Sequence, residues 1–378
     1  MVKKSKEQAL RLVREKLSAT MAERTAWYEK TCALLRQHDN IYLWGTGVLG
    51  VWVPAFLHAI GGTPKAFVDN NPARWGADIH GIPCISPAEI PLDKDPLVMI
   101  GTGAHSHAVS AQLHDMGVER VLDVSDFILN EMFDDIRCAS VDAIADKVGA
   151  CFDILADDTS AAVLLAKLSG FLTFEAGFGK QNYYEDVCCG DQYFQDDLIH
   201  FTENSVLVDC GAFTGDTLAD FLRRGLPFRK YIAYELSRRN YDTLQENIKN
   251  VHEGGTKIVA YNCGVGERNE QIFYEELFSG TLISSAGTRG EIVRMSEHLR
   301  DEAVSFIKMD IEGAEIAALK GAAELIRRRR PDLAICTYHS ISDLYEVPLY
   351  IHSLVPEYRL YLRHHTPVFC ETVCYAVI

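Results

Sequence analysis

The sequence lacks the long apolar runs and the excess of basic residues that mark membrane proteins and nucleic-acid-binding proteins. No apolar run approaches the ~18 residues of a membrane-spanning helix, so we expect no membrane span. The chain has 37 Lys and Arg against 53 Asp and Glu, a formal charge of −16. Because nucleic-acid phosphates are bound by clustered cations, this charge disfavours nucleic acid as a partner.

The cysteines lack the even number and regular spacing of a disulfide framework. There are 11 of them, several in apolar runs, and Cys188 and Cys189 are adjacent. Without a second pair at metal-binding spacing, this pattern predicts no zinc site. The first residues are charged and helical in pattern, so we expect no signal peptide. Reduced thiols without a signal peptide indicate a cytoplasmic protein.

The stretch VLVDCGAFTGDT at 206–217 has the pattern of a strand, a glycine-rich turn and a helix. Its apolar start predicts a buried strand that ends at Asp209. Gly211 and Gly215 permit backbone angles that other residues avoid, and the following helix offers N–H groups to an anion. The motif lacks the Lys and Ser/Thr of a nucleotide-triphosphate loop. We predict that it binds a cofactor through Asp209, Gly211, Ala212, Phe213, Thr214, Gly215, Asp216 and Thr217.

The next predicted strand, YIAYEL at 231–236, closes on an acidic residue, Glu235. A carboxylate at the tip of the second strand of such a fold accepts both hydroxyls of a ribose. One glycine turn, one strand-end carboxylate and no phosphate-binding lysine favour S-adenosylmethionine, a nucleoside whose other end is an amino acid. A structural turn in some other α/β fold is the alternative that the residues leave open.

These two motifs, with IKMDIEGAEIAALKGA at 307–322 and LYLRHHTPVFCETVCYAVI at the end, resemble the FkbM family of S-adenosylmethionine-dependent methyltransferases. The similarity covers the chain from DQYF at 191 to Ile378. It implies an α/β fold of class I methyltransferase type, a Rossmann-like seven-stranded sheet whose last strand is antiparallel. It also implies methyl transfer, typically to a hydroxyl oxygen of a sugar, glycolipid or polyketide-like metabolite. Residues after the third strand flank the adenine in this fold, which adds Cys263, Gly264 and Val265 to the expected cofactor contacts.

Methyl transfer to a hydroxyl needs a group near the donor that takes the hydroxyl proton. The segment MDIEGAE supplies Asp310 at the end of the fourth strand, where it also reaches the cofactor, and Glu312. Glu315 follows in the first turn of a helix, where a carboxylate is a favourable cap. His339, at the end of the fifth strand, is the expected base, with a structural role as the alternative. We predict that Asp310, Glu312 and His339 surround the acceptor hydroxyl.

The same three residues have the ligand types of a Mg²⁺ or Mn²⁺ site, and a bound metal would acidify the hydroxyl. No spacing in the sequence demands a metal. We therefore predict a reaction without a metal, with S-adenosylmethionine as the cofactor, and keep the metal-assisted reaction as the alternative.

The segment NIYLWGTGVLG near the N-terminus predicts a second strand, glycine turn and helix, with Gly45, Gly47 and Gly50 in G-x-G-x-x-G spacing. Asp69 ends the following strand, and LVMIGTGAHSHAV repeats the pattern. This is a fingerprint of nucleotide binding. The unit also resembles the Rossmann-like N-terminal domains of some sugar-modifying proteins, including bacterial sugar acetyltransferases. That resemblance implies a nucleotide or nucleotide-sugar ligand; a docking domain with an empty turn and an NAD site are the alternatives.

The chain is predicted to have four segments: N-terminal helices at 1–38, a Rossmann-like nucleotide-binding-type domain at 39–130, a helical linker at 131–190 and the methyltransferase domain at 191–378. The first helices pack on the next domain or, alternatively, form a homo-oligomer. We expect an O-methyltransferase with a small-molecule or glycan acceptor. Two other functions stay open, an NAD-linked oxidoreductase that modifies a nucleotide-sugar and a non-catalytic binding protein.

Overall fold

The structure is a computed structural model that describes residues 2–79, 81–174, 183–250, 257–277, 280–284 and 287–378. The chain divides into two compact units. The N-terminal unit comprises Arg14–Cys138 and Ser169–Tyr183, and the C-terminal unit comprises Met1–Val13, Ala139–Leu168 and Tyr184–Ile378. In the described ranges, none of the helices combines the length and the apolar character that crossing a membrane requires.

The sheet of the N-terminal unit has the strands β1 (Ile41–Trp44), β2 (Pro64–Val68), β3 (Asp78–Ile79), β4 (Ile82–Ile85), β5 (Leu97–Ile100) and β6 (Arg120–Asp123). Their order is β3-β4-β2-β1-β5-β6, and β1 is parallel to both of its neighbours. The apolar runs of β1 and β5 are buried throughout, as expected for strands covered on both faces. The helices of this part of the chain are α1 (Val2–Gln37), α2 (Val48–Ile60), α3 (Ser106–Asp115) and α4 (Val124–Glu131).

The C-terminal unit contains the strands β7 (Val206–Cys210), β8 (Lys230–Tyr234), β9 (Lys257–Tyr261), β10 (Gly264–Val265), β11 (Glu270–Leu277), β12 (Gly280–Ser284), β13 (Thr288–Val293), β14 (Phe306–Met309), β15 (Asp332–Cys336), β16 (Arg359–His364) and β17 (Thr372–Val377). Its helices are α5 (Val141–Ile154), α6 (Asp158–Leu172), α7 (Asp216–Arg223), α8 (Arg238–Lys249), α9 (Met295–His298), α10 (Glu315–Arg329) and α11 (Asp343–Leu354). Helix α6 continues for four residues into the N-terminal unit.

Seven of these strands form one sheet in the order β16-β17-β15-β14-β7-β8-β9. The pairs β7–β8, β8–β9, β14–β7 and β14–β15 are parallel, whereas β17 is antiparallel to both β15 and β16. The predicted class I methyltransferase sheet with an antiparallel last strand is therefore confirmed. Parallel strands bring their carboxyl ends to one edge, where ligands bind in such sheets.

Helix α5 lies in the segment for which the sequence predicts a linker. In the structure it packs against α11, and the Cys151 thiol donates to the carbonyl oxygen of Leu344 over 3.7 Å. The turn after α5 is held by the N–H of Ala156, which donates to the carbonyl of Leu360 in β16. The two units therefore differ from the four predicted segments, because the apolar face of α5 is buried in the C-terminal unit.

A second, smaller sheet follows β9 and has the order β10-β13-β11-β12. Within this sheet, β11 pairs with β12 and with β13, both antiparallel. Residues 278–279 and 285–286 lie outside the described residues.

Candidate active site

The glycine turn after β7 lies against the segment that follows β14, the neighbouring strand. Gly211 has a φ of +78°, which an L side chain rarely adopts. A Cβ at this position would stand 1.8 Å from the carbonyl oxygen of Asp310, so no side chain fits here. Phe213, two residues on, also has a left-handed φ of 47°. The tight turn therefore brings the two strand ends into contact.

Asp209 lies inside β7, which continues to Cys210, and not at the end of the strand as the sequence predicts. Its carboxylate is 3.0 Å from the ammonium of Lys308 in β14 and accepts a 2.7 Å hydrogen bond from the Tyr231 hydroxyl. Lys308 also donates to the carbonyl oxygen of Gly211 over 2.8 Å. The Asp209 and Lys308 side chains are 2% and 4% exposed. Asp209 thus supports the glycine turn through Lys308, and its predicted contact with a cofactor stays a prediction.

Glu235 follows β8, at the place where the sequence predicts a strand-end carboxylate. One of its oxygens accepts the N–H of Phe213 over 2.9 Å, and the other accepts the N–H of Ser237 over 2.8 Å. Burial raises the pKa of Glu235 to about 7, against the two backbone hydrogen bonds that lower it. The carboxylate clamps the glycine turn to β8 and keeps lone pairs for further donors.

The other predicted cofactor residues lie around the same turn. Ala212 is fully buried, Thr217 is buried in the first turn of α7, and Asp216 beside it is exposed. The N-terminal cap of α7 is Gly215, which has no side chain to satisfy the first N–H groups of the helix. Thr214 is half-buried, and its carbonyl accepts a hydrogen bond from Asn247.

The segment after β9 forms a buried wall next to Glu235. Cys263 and Val265 are 5% and 4% exposed, and Gly264 lies where a Cβ would meet the Ile292 side chain at 2.7 Å. The Asn262 amide donates to the carbonyls of residues 235 and 236, which ties this wall to the end of β8.

Asp310, directly after β14, is the centre of a group of polar side chains. The hydroxyl of Tyr193 donates to its Oδ2 over 2.9 Å, and that of Tyr338 lies 3.0 and 3.2 Å from its two oxygens. The Nε2 atom of His339 is 3.3 Å from Oδ1. Burial opposes the charge of Asp310, but the contact with His339, the Lys308 ammonium and the Tyr193 hydroxyl outweigh it and hold its pKa below the usual range.

His339 lies between carboxylates on both sides of its ring. Its Nδ1 is 3.0 Å from Oε1 of Glu315, and its Nε2 is 3.8 Å from Oε2 of Glu312 as well as close to Asp310. Burial disfavours a charged ring, yet Glu315 and Asp310 outweigh it and hold the pKa of His339 well above its usual value. The carboxylates on both sides of the ring favour its protonated form over the neutral form that a general base needs. Glu315 is also more than a helix cap, since its side chain is fully buried.

The sequence analysis did not single out Tyr338 or Glu371, and Tyr193 lies in the DQYF segment at which the family resemblance begins. Glu371, just before β17, lies 3.5 Å from the Tyr338 hydroxyl and accepts a hydrogen bond from the Gln192 amide. Tyr193, Phe213, Glu312 and Glu371 all have left-handed backbone angles, which non-glycine residues avoid and functional sites concentrate. The sequence carries a signal only for Tyr338, which is adjacent to His339.

Arg363, in β16, does not face this site. Its guanidinium is 2.7 Å from Asp157 and is 9% exposed. His364 is fully buried and bonded to Thr372, and His365 contacts the Tyr375 hydroxyl at 3.0 Å. These three residues support the fold near β16.

In the N-terminal unit, the glycine turn after β1 is built as the sequence predicts. Gly45 has a φ of +107° and packs against Thr102 in the equivalent turn after β5, Gly47 caps α2, and Gly50 lies in its first turn. Asp69 follows β2, and its carboxylate accepts the Thr46 hydroxyl over 2.7 Å. In the sheet order, β2 lies on one side of the pair β1 and β5, and β6 lies on the other, so the chain leaves β1 and β5 in opposite directions. The two glycine turns lie side by side at this point, which is where open α/β sheets bind ligands.

Comparisons with known proteins agree with the fold. Residues 209–367 match the family model described as the methyltransferase FkbM domain. A methyltransferase FkbM from Methylobacillus flagellatus KT is 25% identical at a TM-score of 0.65, with 96% of this chain and 100% of that chain covered. Two further solved structures are more distant. An rRNA methylase from Streptococcus thermophilus is 14% identical at a TM-score of 0.32, with 53% of this chain and 97% of that chain covered. Aeropyrum pernix fibrillarin with bound S-adenosyl-L-methionine is 14% identical at a TM-score of 0.28, with 58% of this chain and 76% of that chain covered. No curated protein matches the sequence.

The matched segment begins at Asp209 and ends beyond β16, so it contains the glycine turn, Glu235 and the residues around Asp310. The solved FkbM structure covers both units of the chain and not only this segment. The sheet order and these two matches show that residues 209–367 form a methyltransferase domain of FkbM type.

Proposed function

We propose that the chain is an S-adenosylmethionine-dependent O-methyltransferase that acts on a hydroxyl of a sugar, glycolipid or related small molecule. One observation supports this most directly, the contact between the Gly211 turn and Asp310. The turn suited to a donor and the carboxylates suited to an acceptor are adjacent, and group transfer between two ligands depends on such proximity. The free thiols of all 11 cysteines agree with a cytoplasmic enzyme.

The residues of the turn fit a nucleoside with an amino-acid tail. The lone pairs that Glu235 retains suit the two hydroxyls of a ribose. The uncapped N-terminus of α7 suits the carboxylate of the tail. Cys263 and Val265 offer an apolar surface to the adenine. Asp209 takes an indirect part, because it holds Lys308 against the carbonyl of Gly211.

When bound, the donor supplies a methyl group on a sulfonium, whose carbon–sulfur bond breaks as the acceptor oxygen bonds to the carbon. We assign the hydroxyl proton to Glu312, because its side chain is 55% exposed and lies 3.8 Å from His339 at the rim of the site. Asp310, fixed by two tyrosine hydroxyls, offers a preorganised negative charge near the donor. His339 positions Asp310 and Glu312 relative to each other.

The test is transfer of radiolabel from S-adenosyl-[methyl-¹⁴C]methionine to a panel of monosaccharides, glycolipids and other hydroxylated small molecules. We expect an O-methylated product, and we expect Glu312→Gln to lose about 10²-fold or more of the rate. Glu324→Gln is the matched control, because Glu324 lies on α10 with its side chain 69% exposed. A product methylated on nitrogen or carbon, or full activity of Glu312→Gln, would contradict the proposal.

A second function is proposed for the N-terminal unit, binding of a nucleotide or nucleotide-sugar. The hydrogen bond from Thr46 to Asp69 favours it, because it joins the glycine turn to the strand-end carboxylate suited to a ribose. Calorimetric titration with UDP, UDP-glucose, ADP and NAD tests it, with Asp69→Asn as the variant and Asp78→Asn as the control. Binding of NAD alone would favour the oxidoreductase alternative, and no binding would favour a docking domain.

A further inference from the structure

The side chains of Asp310, Glu315 and His339 converge on one place beside the glycine turn. One ligand atom from each lies within 4.8 Å of the other two, which is a span that one metal ion can bridge. Their closest approaches are 3.3 Å from Asp310 to Nε2 and 3.0 Å from Glu315 to Nδ1 of the histidine. The carboxylate of Glu312 is 3.8 Å from the same ring.

A second observation points to a missing partner at this place. Both ring nitrogens of His339 and the Oε2 atom of Glu315 are buried, and none of them has a hydrogen-bond partner of acceptable geometry among the residues that the structure describes. Glu315 is fully buried and His339 is 11% exposed. Buried polar atoms in proteins are almost always satisfied, and an ion is one of the few explanations for those that are not.

The balance of charge agrees with this. Three carboxylates surround one imidazole, so even a protonated ring leaves an excess of negative charge. Lys308, the nearest lysine, is already paired with Asp209. A divalent cation would neutralise the excess.

We propose that Asp310, Glu315 and His339 bind a divalent cation of the Mg²⁺ and Mn²⁺ class, with Glu312 as a nearby carboxylate that can join them. Carboxylate oxygens with one imidazole and no thiolate suit these ions. The hydroxyls of Tyr193 and Tyr338 orient Asp310, as groups behind metal ligands commonly do. The proposal reverses the expectation from sequence, where spacing alone gives no reason for a metal.

The cation site itself does not depend on the proposed function. A role of the cation in methyl transfer does rest on that function. A cation held at Asp310 would lie beside the donor turn and polarise the acceptor oxygen, so that the proton passes to Glu312 more readily.

The test is titration of the full chain, freed of metal by a chelator, with Mn²⁺ alone, followed by calorimetry and electron paramagnetic resonance. We expect one saturable site, weakened about tenfold or more by His339→Gln and by Glu315→Gln. Glu324→Gln is the control on the same helix and should bind as the parent does. Circular dichroism checks each variant; if Glu315→Gln unfolds, Asp310→Asn takes its place.

Two outcomes overturn the proposal: no saturable Mn²⁺ binding by the parent chain, or equal affinity in His339→Gln and the parent, which would mark a surface site of this acidic protein. Titration of the same samples with S-adenosylhomocysteine reports on the donor pocket separately. Mn²⁺ binding without binding of S-adenosylhomocysteine would count against the proposed function and leave the cation site standing.

Discussion

The ammonium of Lys308 and the carboxylate of Asp209 are 3.0 Å apart on neighbouring strands, and both side chains are almost completely buried. Burial disfavours the charged lysine, but the carboxylates of Asp209 and Asp310 outweigh it and raise its pKa. Because Lys308 also holds the carbonyl of Gly211, this ion pair fixes the turn to which we assign the donor. A charge pair inside the sheet thereby sets the shape of a site at its edge.

Lys308→Met is expected to lower the free energy of unfolding by about 3–5 kcal/mol, because it leaves the Asp209 carboxylate buried without its partner. The double variant Asp209→Leu with Lys308→Met should recover much of this loss, since no buried charge remains. Urea denaturation measures both. Lys320→Met is the control, because Lys320 is 46% exposed and 3.9 Å from Glu267. A loss below about 1 kcal/mol for Lys308→Met would contradict a buried ion pair.

Gly211→Ala is expected to be far more harmful than Gly225→Ala, although both glycines have positive φ angles. A Cβ at Gly211 would overlap the carbonyl of Asp310, whereas at Gly225 it meets no atom within 4 Å. The control should lose about 1 kcal/mol from backbone strain alone, and Gly211→Ala at least about 2 kcal/mol more. Thermal unfolding and titration with S-adenosylhomocysteine report both effects; equal behaviour of the two variants would show that the turn is open.

Binding of S-adenosylhomocysteine is expected to weaken as the pH falls below about 7, the value to which burial raises the pKa of Glu235. The ionised carboxylate accepts the ribose hydroxyls, and the protonated acid loses part of this capacity. Affinity should therefore be constant above pH 8 and decline by up to about tenfold per pH unit below the pKa. Calorimetry between pH 5.5 and 8.5 measures this. Glu235→Gln should bind weakly with a flat profile; a parent profile that is also flat would remove Glu235 from the donor site.

Arg363→Met is expected to destabilise the C-terminal unit without changing the binding of S-adenosylhomocysteine. The guanidinium is 9% exposed and pairs with Asp157 in the turn before α6, so its loss should cost about 1–3 kcal/mol. Arg330→Met is the control, because its pair with Glu357 is about half exposed and should contribute less than about 1 kcal/mol. Chemical denaturation and calorimetry separate the two readouts; weaker ligand binding at unchanged stability would contradict a purely structural role of Arg363.

Much of the site follows from local patterns in the chain. The apolar run before Gly211, the acidic end of β8 and the segment MDIEGAE each predict a strand and a polar end, and all three lie where the patterns place them. Asp209 is the exception. An apolar run that stops at an aspartate resembles the end of a strand. Asp209 can be buried inside β7 because it pairs with Lys308, which is distant in the sequence.

By itself the sequence determined the strand, glycine turn and helix that follow one another in each unit, because backbone periodicity and glycine content are local properties. The tertiary structure decided which charged side chains contact one another. It placed His339 between Asp310 and Glu315. It paired Arg363 with Asp157. It also brought to the site Tyr193, which precedes the glycine turn in the chain, and Glu371, which lies near the C-terminus. Protonation and ion pairing depend on burial and on neighbours in space, and these exist only after the strands have assembled.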